Sequence, residues 1–196
     1  MTTPVTPVVA IAYHSGYGHT AVLAEAVRDG AAAAGATVHL VNVETITDEQ
    51  WALLDAADAI VFGSPTYMGT ASAAFHAFAE ASSKRWFTSA WKDKLAAGFT
   101  NSASKSGDKL HTLQFFTVLA AQHGMHWVSL GLHPGWNAST ASENDLNRLG
   151  IFLGAGAQSN NDEGPDAVHK ADIATAEHLG RRVADTARTF AIGKAA

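Results

Sequence analysis

The chain is expected to fold as an α/β protein: a doubly wound, five-stranded parallel sheet with helices on both faces. Three observations carry that expectation. Short, continuous apolar runs alternate with helix-patterned stretches, the signature of consecutive βαβ units. The first apolar run empties directly into a Gly-bearing loop that opens a helix. The length, 196 residues with 47% hydrophobic and 16% charged, suits one globular domain spanning residues 1–196 with one core.

Each element follows from its residues. Val8-Val9-Ala10-Ile11-Ala12-Tyr13 is apolar at every position, as a central parallel strand covered on both faces requires. His14 to Thr20 is polar and carries Gly16 and Gly18, and Ala21 to Ala34 is rich in helix formers and stops at Gly35. Thr37 to Val43 alternates as a second strand, and Thr47-Asp48-Glu49-Gln50 resembles a capping box opening a helix through Leu54. Ala59 to Gly63 is a third strand, followed by a loop, Ser64 to Thr70, and a helix, Ala71 to Ser82, presenting Phe75 and Phe78 to the sheet. A fourth strand begins near Lys94 and runs through Leu95 to Thr100. After a small-residue loop, Asn101 to Asp108, a helix from Leu110 to His123 closes at Gly124. Trp127 to Leu130 reads as the fifth strand. The chain is irregular from Leu132 to Asn147, returns to apolar residues over Leu149 to Ala157, and ends in a helix from Ala167 to about Phe190.

Composition removes several function classes. A net charge of −5 with scattered Lys and Arg lacks the footprint of a nucleic-acid binder. With no cysteine there are no disulfides, no thiol catalysis and no Cys-ligated metal, and the reducing cytoplasm is the expected compartment. No apolar run has a membrane span's length, and the apolar stretch of MTTPVTPVVAIAY has no basic region before it.

Ligands of such sheets bind outside the carboxyl ends of the strands, where strand order reverses. The first of these loops offers backbone N–H groups at a helix N-terminus beside the hydroxyls of Ser15 and Thr20, which suits a phosphate. It lacks the Lys of a P-loop. Gly16, Gly18 and Ala21 also match G-x-G-x-x-A, with Glu44 ending the second strand, so a dinucleotide site stays open beside a merely structural βα turn. Pro65, Thr66, Tyr67, Met68 and Gly69 form a stiff turn able to edge a planar ring or to lie on the surface. Thr100, Asn101, Ser102, Ala103, Ser104, Lys105, Ser106 and Gly107 are small and polar, suiting close backbone approach to a ligand or an ordinary loop. His111, His123, His126 and His133 raise a metal site, but their spacing does not favour shared coordination and no metal is expected. G-x-S-x-G is absent, and no Tyr has a Lys four residues on. Trp86, Phe87 and Trp91 read as core or interface anchors.

Taken in order, Tyr13-His14-Ser15-Gly16-Tyr17-Gly18-His19-Thr20, Phe62-Gly63-Ser64-Pro65-Thr66-Tyr67-Met68-Gly69 and Ala120-Ala121-Gln122-His123-Gly124-Met125 resemble the flavodoxin-like superfamily. Within it they resemble the WrbA-type NAD(P)H:quinone oxidoreductases and related FMN reductases. The resemblance implies strand order 2-1-3-4-5 and bound FMN. It places the phosphate on Ser15, Gly16, Tyr17, Gly18, His19 and Thr20, and the flavin ring along Pro65 to Gly69 and Ser102 to Gly107. It gives His123 the pyrimidine edge as the catalytic contact, Tyr17 the nicotinamide, and Trp86 the substrate across a subunit interface. Tyr67 and Met68 stand where the family commonly has Arg and Phe.

The activity so implied is two-electron, ping-pong hydride transfer from NADH or NADPH through FMN to a quinone or similar acceptor, in a homodimer or homotetramer. The rival reading is an electron-carrying flavodoxin without its own pyridine-nucleotide activity, which a strongly acidic surface would mark.

Overall fold

The structure, a computed structural model, describes residues 5–195. The first four residues of the lead before the first strand lie outside it, as does Ala196. The first strand, β1 (Val8–Tyr13), passes through the glycine-bearing loop into α1 (His19–Ala33). There follow β2 (Thr37–Asn42), α2 (Asp48–Ala56), β3 (Ala59–Tyr67), β4 (Thr70–Ala71), α3 (Ala73–Ala81) and α4 (Ser83–Phe87). The second half holds β5 (Leu95–Ser102), α5 (Lys109–Gln122), β6 (His126–Trp127), β7 (Ala155–Gln158) and α6 (Lys170–Ala195).

Five strands run parallel in the order β2-β1-β3-β5-β6. The expected 2-1-3-4-5 needs amending because β4, a two-residue strand the sequence does not announce, pairs antiparallel with β3 and takes a place in the count. The expected fifth strand, Trp127 to Leu130, is also shorter than predicted. Beside β5 that position is shared. Leu95 and Ala96 pair with His126 and Trp127, whereas Phe99 to Ser102 pair with Ala155 to Gln158 of β7. The chain leaves the sheet after Trp127 and returns at Ala155 to complete the edge.

Burial explains why these segments fold as they do. Along β1, Val9 and Ile11 face one core with Leu23, Val27, Leu179 and Val183 of α1 and α6, while Ala10 and Ala12 face the other. Along β3, Val61 joins the first core, and Ile60 and Phe62 join the second with Phe75, Leu113 and Phe116. Period-two alternation in an all-apolar run is thus burial on two faces. Each such large side chain contributes about 1.5–3 kcal/mol on leaving water. The Thr47–Gln50 capping box is formed in both directions and sets the start of α2. Phe75 and Phe78 are buried as the helix pattern requires. Glycine permits the tightest helix contact. A Cβ on Gly30 of α1 would stand 1.9 Å from the Glu177 carbonyl oxygen of α6, and one on Gly180 would stand 2.0 Å from that of Val27.

No helix among the described residues is long and apolar enough to cross a membrane. The layout brings the loops after β1, β3 and β5 to one edge of the sheet, on either side of the point where strand order reverses between β1 and β3.

Candidate functional site

At that edge lies a cavity of about 410 Å3, lined by Ser15, Tyr17, His19, Thr20, Pro65, Thr66, Tyr67, Asn101, Ser102, Ala103 and Ser159 to Asn161. Its size falls within the range usual for small-molecule and cofactor sites.

The first wall is the turn from β1 into α1. The Ser15 hydroxyl oxygen accepts N–H bonds from Gly18 and from Ala21, both at 3.1 Å, and folds the loop around itself. Gly18 sits at φ 90 with its Cα against Pro165; an added Cβ would lie 2.4 Å from the proline Cγ. The N–H groups of Gly16, Tyr17, His19 and Thr20 donate to no acceptor among the described residues. Unpaired donors at the positive end of a 15-residue helix form an anion cradle without any cationic side chain.

The second wall, Ser64 to Tyr67, was expected to be loop and is instead the end of β3. Ser64 and Pro65 pair with Thr100 and Asn101 of β5, and Thr66 and Tyr67 pair back with β4. Beneath it, the Thr66 hydroxyl lies 2.8 Å from that of Thr100 and 2.7 Å from that of Thr112, a buried chain joining β3, β5 and α5. Tyr67 and Tyr17 meet edge to face with ring centres 6.4 Å apart. The absence of a side chain at Gly16 is what lets the Tyr67 hydroxyl reach the first loop, since a Cβ there would stand 2.6 Å from it. Burial, and secondarily the neighbouring Tyr17, raise the Tyr67 pKa, so at neutral pH it is an uncharged hydrogen-bond donor. Met68 is fully exposed in a positive-φ turn with Gly69, and neither lines the cavity.

Ser102 and Ala103 supply the third wall, but Ser104 to Gly107 turn away from the cavity. Lys105 points its ammonium at the Trp136 ring, 5.1 Å from its centre, over a neighbouring depression. The loop is closed from below by Lys109, which the sequence did not single out. Its ammonium is buried and donates to the Ser102 hydroxyl and to the carbonyls of Ser104 and Lys105.

The fourth wall, Ser159 to Asn161, has no counterpart in the sequence reading, which takes Asn101 only as part of the loop Thr100 to Gly107. Asn101 donates to the Ser159 hydroxyl at 2.8 Å, and its Oδ1, buried at the cavity wall, has no partner. His19 bonds the Glu163 carbonyl, and Gln158 bonds that of Ala103, so the segment after β7 clasps both the first and third loops. Its anchor is a buried ion pair. Both Asp172 oxygens take N–H bonds from Arg148, at 2.8 and 2.7 Å, and one also accepts from the Gln158 backbone.

His123 lies elsewhere. It caps the far end of α5, a 14-residue helix that starts beside the cavity, and at ~1.5 Å per residue that carries it some 20 Å away. There it bonds the Ser82 hydroxyl at 2.9 Å and packs at a tilt against Trp91, ring centres 4.5 Å apart, and burial lowers its pKa. It therefore does not touch the cavity of its own chain. Trp86 lies in that same region: with exposed Phe87 and with His123 it lines a separate depression. Trp91 is core, stacked on Trp51 and bonded to Asp55. Glu44 of the dinucleotide reading lies 3.5 Å from His14 and outside the cavity lining. Among the described residues no three His, Asp or Glu side chains come together as a metal site.

A cradle of unpaired N–H groups, flanking aromatic and peptide walls and an unpaired buried amide oxygen suit a ligand with an anionic tail and a planar, hydrogen-bonding head. Flavin mononucleotide has both. Comparison with known proteins points the same way. Residues 8–133 match the family model of the NADPH-dependent FMN reductases. A curated relative from Pseudomonas aeruginosa, named Flavodoxin FldP, is 45% identical over 89% of this chain and 93% of its own length. An NAD(P)H dehydrogenase (quinone) from Azorhizobium caulinodans is 32% identical over 91% and 96%. Among solved structures, a flavodoxin, WrbA-like protein from Agrobacterium tumefaciens superposes with a TM-score of 0.74 at 44% identity, covering 94% of this chain and 99% of that one.

Proposed function

Because this chain belongs to the NADPH-dependent FMN reductase family, we propose that it is an FMN-dependent NAD(P)H:quinone, or flavin, oxidoreductase. The observation that carries the reading is the cavity at the strand ends, where an anion cradle, two tyrosines and the unpaired Asn101 oxygen face one another. FMN, when bound, supplies a carrier that accepts a hydride from NADH or NADPH and passes both electrons to an acceptor such as a quinone, which takes up two protons.

The protein's part is positioning. The N–H groups of Tyr17, His19 and Thr20 would hold the phosphate, with Ser15 keeping the loop in the shape that points them inward. Pro65, Thr66, Tyr67, Ser102 and Ala103 would flank the ring, and Asn101 Oδ1 would accept a hydrogen bond from a ring N–H. Tyr17 is largely exposed at the mouth, where it would meet the nicotinamide. With Tyr17 exposed at the mouth of this cavity, donor and acceptor would enter in turn by the same opening, in keeping with a ping-pong order. Trp86 and His123 would act, in this reading, at the cavity of another copy in a homo-oligomer.

A second reading, an electron carrier without pyridine-nucleotide activity, is favoured by the name of the 45% identical relative. A net charge of −5 offers little steering toward a basic partner. Steady-state oxidation of NADH and NADPH by the FMN-loaded protein, with a benzoquinone as acceptor, separates the two. Saturable turnover with parallel double-reciprocal lines is expected; no turnover with either donor would discard the oxidoreductase.

A further inference from the structure

The loop between β5 and α5 has its middle carbonyls tied to two partners, Gln158 and Lys109. The Ala103 carbonyl accepts from Gln158 at 2.8 Å, and those of Ser104 and Lys105 accept from the single ammonium of Lys109. In a trans peptide the C=O and N–H point in opposite directions. The N–H groups of Lys105 and Ser106 therefore face away from Lys109, and they donate to no acceptor among the described residues. Ser102 joins the two sides: its hydroxyl takes the Lys109 ammonium at 2.6 Å, and the residue lines the cavity.

The charge of Lys109 is also unusual. A buried ammonium ordinarily has a carboxylate partner. Here the charged groups facing it are Asp172 and Arg148, and Asp172 is already occupied by Arg148 and the Gln158 backbone. The ammonium is met by peptide dipoles instead, and burial pushes its pKa down to about 8. A cation so placed adds positive potential to the cavity's third wall and costs no reorganisation when negative charge appears nearby.

We propose that Lys109 is a positioning residue that fixes Ser102, the point where this loop meets the cavity, and, through its charge, favours the reduced, more electron-rich state of the flavin in the cavity. The inference rests on the flavin reading of that cavity. It gives the loop a purpose beyond closing a turn: the same lysine fixes Ser102 and sets the sign of the potential behind it.

The test is the affinity of the protein for oxidised and for reduced FMN, measured on wild type, Lys109→Met and Lys109→Gln. Oxidised FMN is titrated into apoprotein by quenching of flavin fluorescence, and the reduced affinity follows from the midpoint potentials of free and bound FMN against reference dyes. In Lys109→Met the reduced form is expected to lose at least tenfold more affinity than the oxidised form, a midpoint potential about 30 mV more negative for a two-electron couple. Lys109→Gln keeps a neutral donor to the loop, so it should recover oxidised-FMN affinity while keeping the potential shift. Equal losses in both oxidation states, or none, would overturn the proposal and leave Lys109 a structural tie. Wild-type protein that fails to bind FMN at all would overturn the flavin reading itself, a result distinguishable from either.

Discussion

Replacing Gly18 with alanine tests the first wall of the cavity at its tightest point. Two costs add. Gly18 has φ 90 and ψ −28, which a residue with a Cβ adopts only at ~1–2 kcal/mol. The new methyl would also stand 2.4 Å from Pro165 Cγ, well inside contact distance, and a proline ring has no rotamer by which to withdraw. Forcing that pair apart is an overpacking cost of ~1–3 kcal/mol. The expected loss is thus roughly 2–5 kcal/mol, a large share of the ~5–15 kcal/mol available to a domain. Urea denaturation reads it as a lower midpoint at unchanged m. Gly69 supplies the control, with φ 87 but nothing within 4 Å of a Cβ, so Gly69→Ala should show only the ~1–2 kcal/mol backbone cost. Adding Pro165→Ala to Gly18→Ala should return most of the overpacking component, a coupling that distant sites would not show. Equal losses at residues 18 and 69, or additivity of the 18/165 pair, would refute the claim that the segment after β7 clasps the first loop.

Other expectations come from the same packing. Asp172→Asn leaves Arg148 buried without its counter-charge and should cost ~3–5 kcal/mol in urea midpoint terms; a loss under ~1 kcal/mol would mean the pair does not anchor the fourth wall. Between pH 8 and 10.5 the unfolded chain holds a proton that folded Lys109 has shed, so this group adds stability as pH rises through that window. Wild type should accordingly gain on Lys109→Met from pH 8 to 10 in thermal melts, and a constant difference would contradict the assignment. Gly30→Ala sets a methyl 1.9 Å from a backbone oxygen of α6, so its ~1 kcal/mol gain in helix propensity should be outweighed and the melting temperature should fall. At Gly193, where nothing lies within 4 Å, the same change should leave the melting temperature unchanged or slightly raised.

Much of the fold is legible because β1, β3 and β5 are apolar at successive positions, and only a strand buried on both faces needs that pattern. What escaped notice is decided by pairing rather than by composition. Ser64 to Tyr67 is polar enough to read as loop, yet it is strand because Thr100, Asn101 and β4 lie alongside. The two-residue β6 cannot announce itself by periodicity, and its continuation in β7 begins only at Ala155, where Ala155 to Gln158 reads as a mere return to apolar character. Taking that segment as a strand end would have drawn attention to Ser159 to Asn161. The first wall of the site was legible from its glycine spacing. The fourth was not, because it depends on Arg148 meeting Asp172, 24 positions away. His123 differs again: the local likeness points to a contact with the ring, and the length of α5 places the residue away from the cavity of its own chain.

The central claim is that FMN sits in the cavity at the strand ends and takes electrons from a pyridine nucleotide there. An anaerobic absorbance titration of the FMN-loaded protein, with NADH and then NADPH, tests it most directly. Prompt bleaching of the flavin bands by one or both donors, in a one-to-one ratio, is the predicted result and identifies the donor. A flavin that stays oxidised with both and bleaches only with dithionite would contradict the oxidoreductase account and leave an electron carrier.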